Sequence, residues 1–157
     1  MTLRRLPFQK IVSGGQTGVD RAALDIALEH NIPCGGWCPR GRLAEDGVIA
    51  AKYPLQETTS SRYEERTECN ARDSDGTLIV TKGRPTGGTA FTLECAEKHG
   101  KPVLIFELDS TPDRLRFEQW VQNHKIATLN VAGPRESHAP GEIYSKSKAF
   151  LLALFGL

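Results

Sequence analysis

The sequence predicts an α/β protein whose sheet is Rossmann-like, doubly wound and mostly parallel, with about five strands and helices on both faces. Two observations support this fold class. Short apolar runs alternate with amphipathic helical stretches along the chain, and this alternation is typical of parallel sheets. Each apolar run is also followed by a helix or a long crossover segment, and right-handed crossovers make a doubly wound sheet the simplest architecture.

The first part of the chain predicts a strand–helix–strand unit. Residues 10–14 form a short strand that ends in glycines, and residues 20–30 form an amphipathic helix, with Asp20 as the expected N-cap. Residues 31–37 begin a second, weaker strand. The unit therefore places a glycine turn directly before a helix.

A long connection and the clearest strand come next. Residues 38–59 contain few apolar residues and several prolines and glycines, which predicts a long loop of the kind that is functional or mobile. Residues 61–75 form a helix rich in charge, and residues 76–82 form the strongest strand. Residues 89–100 then form a helix that Gly100 ends.

The last part of the chain predicts two more strands and two more helices. Residues 101–108 form a strand, and residues 111–124 form a helix that starts at a Thr-Pro pair, because proline suits the first helical position. Residues 128–133 form the last strand, and residues 142–155 form the last helix. No internal repeat or linker interrupts the pattern, so residues 1–157 are expected to form a single ligand-binding domain.

Composition restricts the partners of the protein. The chain has 157 residues, a formal net charge of +1, 39% hydrophobic residues and 25% charged residues, which is ordinary for a globular protein. The small net charge gives no reason to expect a nucleic-acid partner. No apolar stretch approaches the roughly 18 residues of a membrane span, and the start of the chain does not resemble a secretory signal. A cytoplasmic protein with no membrane partner is therefore expected.

The sequence predicts no metal-binding site and no catalytic nucleophile. The four cysteines and four histidines are scattered, and a single C-x3-C pair predicts reduced thiols rather than a metal centre or disulfides. The sequence contains no G-x-S-x-G or H-E-x-x-H motif and no cysteine with an obvious histidine partner. A binding protein fits this inventory better than a hydrolase, and no catalytic residue is assigned.

Three glycine-containing turns follow predicted strands, at residues 13–18, 83–89 and 132–137. Glycine lets a ligand approach the backbone without meeting a Cβ, and the N-terminus of a following helix presents unpaired amides and a partial positive charge. Arg135 can also bind an oxyanion through two N–H groups. Tight packing is the alternative for any single turn, but three turns on one edge of a sheet predict a shared site for a phosphate-bearing anion.

The loop at residues 39–47 is the next candidate. Arg40 or Arg42 could close over a phosphate, with Glu45 or Asp46 holding a ribose, a pterin or a metal. The alternative is a solvated loop whose charges neutralise one another.

Three more polar residues have both a structural and a functional interpretation. Arg21 lies in the first turn of its helix, where its charge opposes the helix dipole, so it is a candidate to meet an anion. Asn70 and Arg72 precede the strongest strand, and they either face the site or lie on the helix surface.

Five ordered segments are spread over nearly the whole chain: SGGQTGVDRAALDIAL, PRGRLAEDG, RTECNARDSDGTLIV, TGGTAFTLECAEKHGKP and the stretch LNVAGPRES followed by PGEIY. Together these segments resemble one family, the molybdenum carrier proteins. That family is similar to a circularly permuted branch of the SLOG superfamily of Rossmann-like ligand binders.

The resemblance implies a Rossmann-like fold, a homo-oligomer (dimer or tetramer) and a small anionic ligand held by the glycine turns. The implied ligand is molybdenum cofactor (molybdopterin), a pterin that bears a phosphate and a dithiolene-held molybdenum, or a related phosphorylated compound. Carried over residue by residue, the binding site comprises Gly14, Gly15, Gln16, Thr17, Gly18, Asp20, Arg40, Gly41, Gly87, Gly88, Thr89, Gly133, Arg135 and Glu136.

A more distant resemblance leaves alternatives open. The segment TGGTAFTLE resembles the middle of the P-G-G-x-G-T-x-E-E motif of the cytokinin-activating phosphoribohydrolases, but Phe91 and Thr92 occupy the places of the two glutamates. The alternatives to a carrier are a nucleotide-binding sensor and a phosphoribohydrolase-like enzyme that acts on nucleoside monophosphates. Such an enzyme would use Glu94 or the Glu45–Asp46 pair as its acid and base.

Overall fold

The computed structural model describes residues 5–157, and residues 1–4, part of the N-terminal sequence considered above for export, lie outside the described residues. The strands are β1 (Lys10–Val12), β2 (Cys34–Gly35), β3 (Trp37–Cys38), β4 (Leu43–Ala44), β5 (Gly47–Val48), β6 (Gln56–Glu57), β7 (Gly76–Thr81), β8 (Val103–Glu107) and β9 (Thr128–Ala132). The helices are α1 (Val19–Glu29), α2 (Tyr63–Arg72), α3 (Gly87–Lys98), α4 (Arg114–Asn123), a short 3-10 helix (Glu136–His138) and α5 (Ile143–Phe155).

The central sheet is parallel throughout, and its strand order is β2-β1-β9-β7-β8. If the strands are counted from β9, this order becomes 3-2-1-4-5, which is the order of the doubly wound Rossmann sheet. The first strand of that arrangement therefore comes last along this chain, and it lies between β1 and β7 in the sheet. The predicted α/β, Rossmann-like fold with five parallel strands is confirmed.

Helices cover both faces of this sheet. Leu78 and Val80 of β7 face the main core, which α1, α4 and α5 complete. Because side chains alternate along a strand, Thr77 and Ile79 face the other side, where α2 and α3 pack on each other. All six residues of β7 are buried, as expected for an inner parallel strand with helices on both faces.

The helix α4 begins later than its Thr-Pro pair predicts. Its first residue is Arg114, and Asp113 precedes it as the N-cap. The Asp113 side chain accepts a hydrogen bond of 3.0 Å from the Arg116 amide. A carboxylate in this position satisfies an amide of the first turn, which the proline ring cannot do, so the Thr-Pro pair lies in the connection before the helix.

The segment between β2 and α2 is more ordered than the long loop that its composition predicts. β3 pairs with β6 in parallel, and β4 pairs with β5 as an antiparallel hairpin. A small apolar cluster of Leu24, Cys38, Ala44, Ile49 and Tyr53 holds the segment against α1. The prediction is corrected on this point, because a few apolar side chains of the segment are enough to form a local core.

Arg42 organises this segment from within. Its guanidinium donates hydrogen bonds of 2.8–3.3 Å to the backbone carbonyls of Ile49, Ala50, Tyr53 and Leu55. Four N–H donors of Arg42 are therefore used by the backbone, and its role is to shape the segment rather than to close over a ligand.

The four cysteines form no disulfide within the described residues, and Cys38 and Cys95 are buried. Within residues 5–157, no helix combines the length and the apolar character that a bilayer span requires.

Arg42→Ala is expected to lower the free energy of unfolding by about 2 kcal/mol, because it leaves four carbonyls without their charged donor. Urea denaturation followed by circular dichroism measures this change. Arg40→Ala is the matched control, since Arg40 is exposed and its side chain makes no hydrogen bond or ion pair within the described residues. The control should change the free energy by less than about 0.5 kcal/mol, and equal losses in both variants would contradict the role given to Arg42.

Candidate functional site

A cleft of about 670 Å³ lies at the carboxyl ends of β1, β7 and β9. Residues of the turns that follow these three strands line it, together with one face of α2. Ligands of doubly wound sheets bind at this edge, near the point where the strand order reverses. The three glycine-containing turns therefore meet at one cleft of the size that binds small molecules.

The residues expected from the family resemblance fall into two groups. Those that line the cleft are Gly14, Gln16, Asp20, Gly87, Gly88, Thr89, Gly133 and Arg135. Those that do not line it are Gly15, Thr17, Gly18, Arg40, Gly41 and Glu136. The second group lies either in the turns but away from the cleft surface, or in the loop that follows β3.

The N-terminus of α3 is the most open part of the cleft. Its N-cap, Thr86, makes no side-chain hydrogen bond, and no acceptor within residues 5–157 bonds the amides of Gly87 or Gly88. A Cβ placed on either glycine would meet no atom within 4 Å. Thr89 is only 6% exposed, and its hydroxyl has no hydrogen-bond partner in the described part of the chain. Free donors and open space therefore coincide here.

Other glycines of the turns serve packing instead. A Cβ on Gly18 would collide with the carbonyl of Pro134, and Gly18 has a φ of 81°. A Cβ on Gly133 would collide with the carbonyl of Val80. These two positions require glycine because neighbouring backbones approach closely, so glycine there does not by itself indicate a ligand.

Asp20 and Arg66 place two buried charges at the cleft, and each residue is 7% exposed. Arg66 donates from Nη1 to the Gly14 carbonyl at 2.7 Å and from Nε to Thr67 Oγ1 at 3.2 Å. Asp20 Oδ2 accepts a hydrogen bond of 3.3 Å from the Gln16 amide. Both charges therefore hold the turn after β1 in place.

Asp20 does not cap its helix, contrary to the prediction. Gly18 is the N-cap of α1 and no side chain caps this end, because the Asp20 carboxyl turns to the Gln16 amide instead. Burial raises the pKa of Asp20 above its ordinary value, and the nearby Arg66 guanidinium opposes this shift without cancelling it.

Sequence reasoning missed Arg66. Its Nη2 group makes no hydrogen bond within residues 5–157, so it remains available at the cleft. Tyr63, Arg66, Thr67 and Asn70 all line the cleft, and their spacing places them on one face of α2. A polar stripe at helical spacing was the available signal, but it identifies a site only when that face is known to point inward.

Asn70 and Arg72 have separate roles. Asn70 lines the cleft, but its side chain already accepts from the Trp37 amide at 2.8 Å and donates to the Trp37 carbonyl at 2.9 Å. Arg72 does not line the cleft, and its guanidinium pairs with Asp73 at 2.8 Å. Asn130 of β9 is a further lining residue, 2% exposed, that sequence reasoning did not select.

The turn between β4 and β5 reaches the turns after β1 and β9. The Glu45 carboxylate accepts hydrogen bonds from Thr17 Oγ1 at 2.5 Å, from Ser137 Oγ at 2.6 Å and from the Ser137 amide at 3.0 Å. Arg135 Nε lies 3.4 Å from the same carboxylate. Desolvation raises the pKa of Glu45, but the bonds from Ser137 and Thr17 and the charge of Arg135 outweigh it, so the net pKa is lowered.

Neither Glu45 nor any other charged or polar group of this loop lines the cleft. Asp46 pairs with Arg21 at 2.8 Å, which uses the guanidinium that was a candidate to meet an anion. The Gly41 amide donates to Glu57 at 2.7 Å, and Arg40 is exposed. Asp46 and Arg21 neutralise each other's charge, so the interpretation of a self-neutralising loop fits these two residues better than ligand binding does.

Gly15 and Glu136 hold neighbouring elements together. The Gly15 carbonyl accepts hydrogen bonds of 3.0 and 3.3 Å from the Arg21 guanidinium. The Glu136 carboxylate accepts from the amides of Gly141 and Tyr144 at 3.0 and 2.8 Å. These contacts fix the start of α1 and the start of α5.

The carboxyl groups that line the cleft are those of Asp20 and Glu64, whereas Glu94 is exposed on α3 and does not line it. No group of three or more histidine, cysteine, aspartate or glutamate side chains within the described residues is arranged to hold a metal ion.

Comparison with known proteins identifies similar sequences and structures. Residues 11–155 match the model of a family described as the circularly permutated YpsA SLOG family. The crystal structure of a "putative molybdenum carrier protein" from Syntrophus aciditrophicus SB is similar, with a TM-score of 0.91 and 47% sequence identity over 96% of this chain and 97% of that chain. No curated protein matches the chain.

The family match spans nearly all of the chain, and the strand order of the sheet is the one that a permutation produces. The similar crystal structure shares the fold over almost its full length. This chain therefore belongs to the circularly permuted YpsA SLOG family.

Proposed function

We propose that this protein is a carrier that binds a phosphate-bearing anionic ligand in the cleft, and that the ligand is molybdenum cofactor or a related phosphorylated pterin. The observation that supports this most is the open N-terminus of α3, where Gly87 and Gly88 combine unpaired amides with free space. The name of the similar crystal structure supports a molybdenum-related ligand.

The cleft offers groups for both parts of such a ligand. The phosphate binds at the α3 N-terminus, where Thr89 adds a hydroxyl and the exposed Arg84 adds a charge. Tyr63 and Phe91 also line the cleft, and their rings offer flat surfaces to a planar heterocycle. Arg66 supplies a further N–H donor at the side of α2.

A nucleotide is the second candidate, because it also joins a phosphate to a planar ring. This would make the protein a nucleotide sensor, or an enzyme acting on nucleoside monophosphates. For an enzyme, Asp20 is the better candidate acid, since its carboxyl is buried at the cleft with a raised pKa, whereas Glu94 is exposed outside it.

We further propose that residues 1–157 act as one ligand-binding domain in the cytoplasm. The protein works as a homo-oligomer, a dimer or a tetramer, without nucleic-acid or membrane partners. The family resemblance supports the oligomer, and the small net charge of +1 supports the absence of a nucleic-acid partner.

Gly88→Val is expected to weaken the binding of molybdenum cofactor by more than about tenfold, because the new side chain enters the space where the phosphate binds. Anaerobic titration of the purified protein measures this loss, with ATP, AMP and molybdate as competitors.

Glu97→Val is the matched control on the same helix, since Glu97 is exposed and does not line the cleft; its affinity should match that of the wild type. Unchanged affinity in Gly88→Val would contradict the α3 site. Binding of nucleotides without binding of the cofactor would favour the sensor or the enzyme.

Asp20→Asn is expected to bind molybdenum cofactor more tightly than the wild type, by a margin that grows as the pH rises through the raised pKa of Asp20. Asp20 is neutral below its raised pKa, so the two proteins should then bind alike. Above that pKa the ionised carboxylate repels the anionic ligand and offsets Arg66. Comparison of the two proteins at each pH cancels the titration of the ligand itself. Weaker binding by the variant at every pH would show instead that the ligand donates a hydrogen bond to Asp20.

A further inference from the structure

The Glu45 carboxylate occupies a position in which a bound oxyanion would find the same donors. Two hydroxyls, from Thr17 and Ser137, and the Ser137 amide donate to it at 2.5–3.0 Å, with Arg135 at 3.4 Å. Hydroxyls, a main-chain amide and a guanidinium are the donors with which proteins hold phosphate. The Glu45 side chain is 19% exposed and that of Arg135 is 54% exposed, so an anion in solution can reach this position.

The donors and the carboxylate come from different parts of the fold. Thr17 belongs to the turn after β1, and Arg135 and Ser137 follow β9, whereas Glu45 reaches them from the turn between β4 and β5. Ala44 beside it stays anchored in the small apolar cluster. Rotation of the Glu45 side chain is therefore enough to vacate the position while the four donors remain in place.

Arg135 and Ser137 also line the cleft, so the same donors border the space proposed for the ligand. We infer that Glu45 fills a second oxyanion subsite of the cleft, and that a tetrahedral oxyanion of the ligand replaces the carboxylate there. The inference rests on the proposed function for the rest of the ligand, one end of which binds at the α3 N-terminus.

Among the phosphorylated pterins of the proposed function, this arrangement selects those that carry a second oxyanion group besides the phosphate. One group binds at the amides of Gly87 and Gly88, and the other displaces Glu45. A compound with a single phosphate gains only the first site, and Glu45 then keeps Arg135 neutralised. The carboxylate thus discriminates against ligands with one anionic group, because only a second group competes with it for the same donors.

The test uses Glu45→Ala in the full chain that already contains Gly88→Val, so that phosphate cannot bind at α3. Inorganic phosphate is titrated by calorimetry and by its effect on the melting temperature, since a ligand that binds the folded state stabilises it. Asp46→Ala in the same background is the matched control, because Asp46 lies next to Glu45 but pairs with Arg21.

Glu45→Ala is expected to bind phosphate at least about tenfold more tightly than its parent and to gain melting temperature with it, while Asp46→Ala does neither. Adding Arg135→Ala should remove the gain. No gain in Glu45→Ala, or a gain that survives Arg135→Ala, would overturn the subsite. Stabilisation by acetate but not by phosphate would also overturn it, since the position would then fit only a carboxylate.

Glu45→Gln keeps the shape of the side chain and guards against loss of folding in the alanine variant. It should give a smaller gain in the same direction, and no gain would count against the subsite. These results do not depend on the α3 site. A failure of the proposed function appears separately, as cofactor binding that Gly88→Val leaves unchanged.

Discussion

Backbone packing between the turns after β1 and β9 is the constraint on which the cleft depends. The Pro134 carbonyl accepts a hydrogen bond of 3.3 Å from the Val19 amide and lies against Gly18. On the other side of β9, Gly133 lies against the Val80 carbonyl. A side chain on Gly133 would push β9 away from β7, and one on Gly18 would push the turn after β9 away from the turn after β1. The turns that line the cleft would then no longer meet.

The arginines around the cleft divide into those used by the protein and those that remain available. Arg42 bonds four carbonyls and Arg21 pairs with Asp46, so both shape the segment between β2 and α2. Arg66 belongs to both groups, because it donates a hydrogen bond to the Gly14 carbonyl and keeps a further N–H group unpaired at the cleft within residues 5–157. Arg84 lines the cleft and has no partner in the described part of the chain. In the proposed function, anion selectivity comes from a few placed donors, not from the net charge of +1.

The sequence was sufficient where the signal is local. β7 is a run of buried, largely β-branched residues, and Gly87 and Gly88, predicted in the turn after it, begin α3 with open space beside them. The strand order was not predictable in this way, because the place of β9 depends on contacts between residues far apart in sequence. Arg66 was missed for the same reason: a charged helix looks solvent-exposed until the packing of its partners is known. Asp20 was misassigned because a carboxylate near a helix start suits both a cap and a buried contact.

The position of β9 also governs how the protein assembles during synthesis. β1 and β7 hydrogen-bond to β9 and not to each other, and β9 follows every other strand along the chain. Until residues 128–132 have been synthesised, β1 and β7 lack the strand that joins them in the sheet, so the edges that β9 covers have no partner. Pairing between distant segments is slow, and unpaired strand edges promote aggregation while they wait. A chain that made its central strand first would avoid this interval.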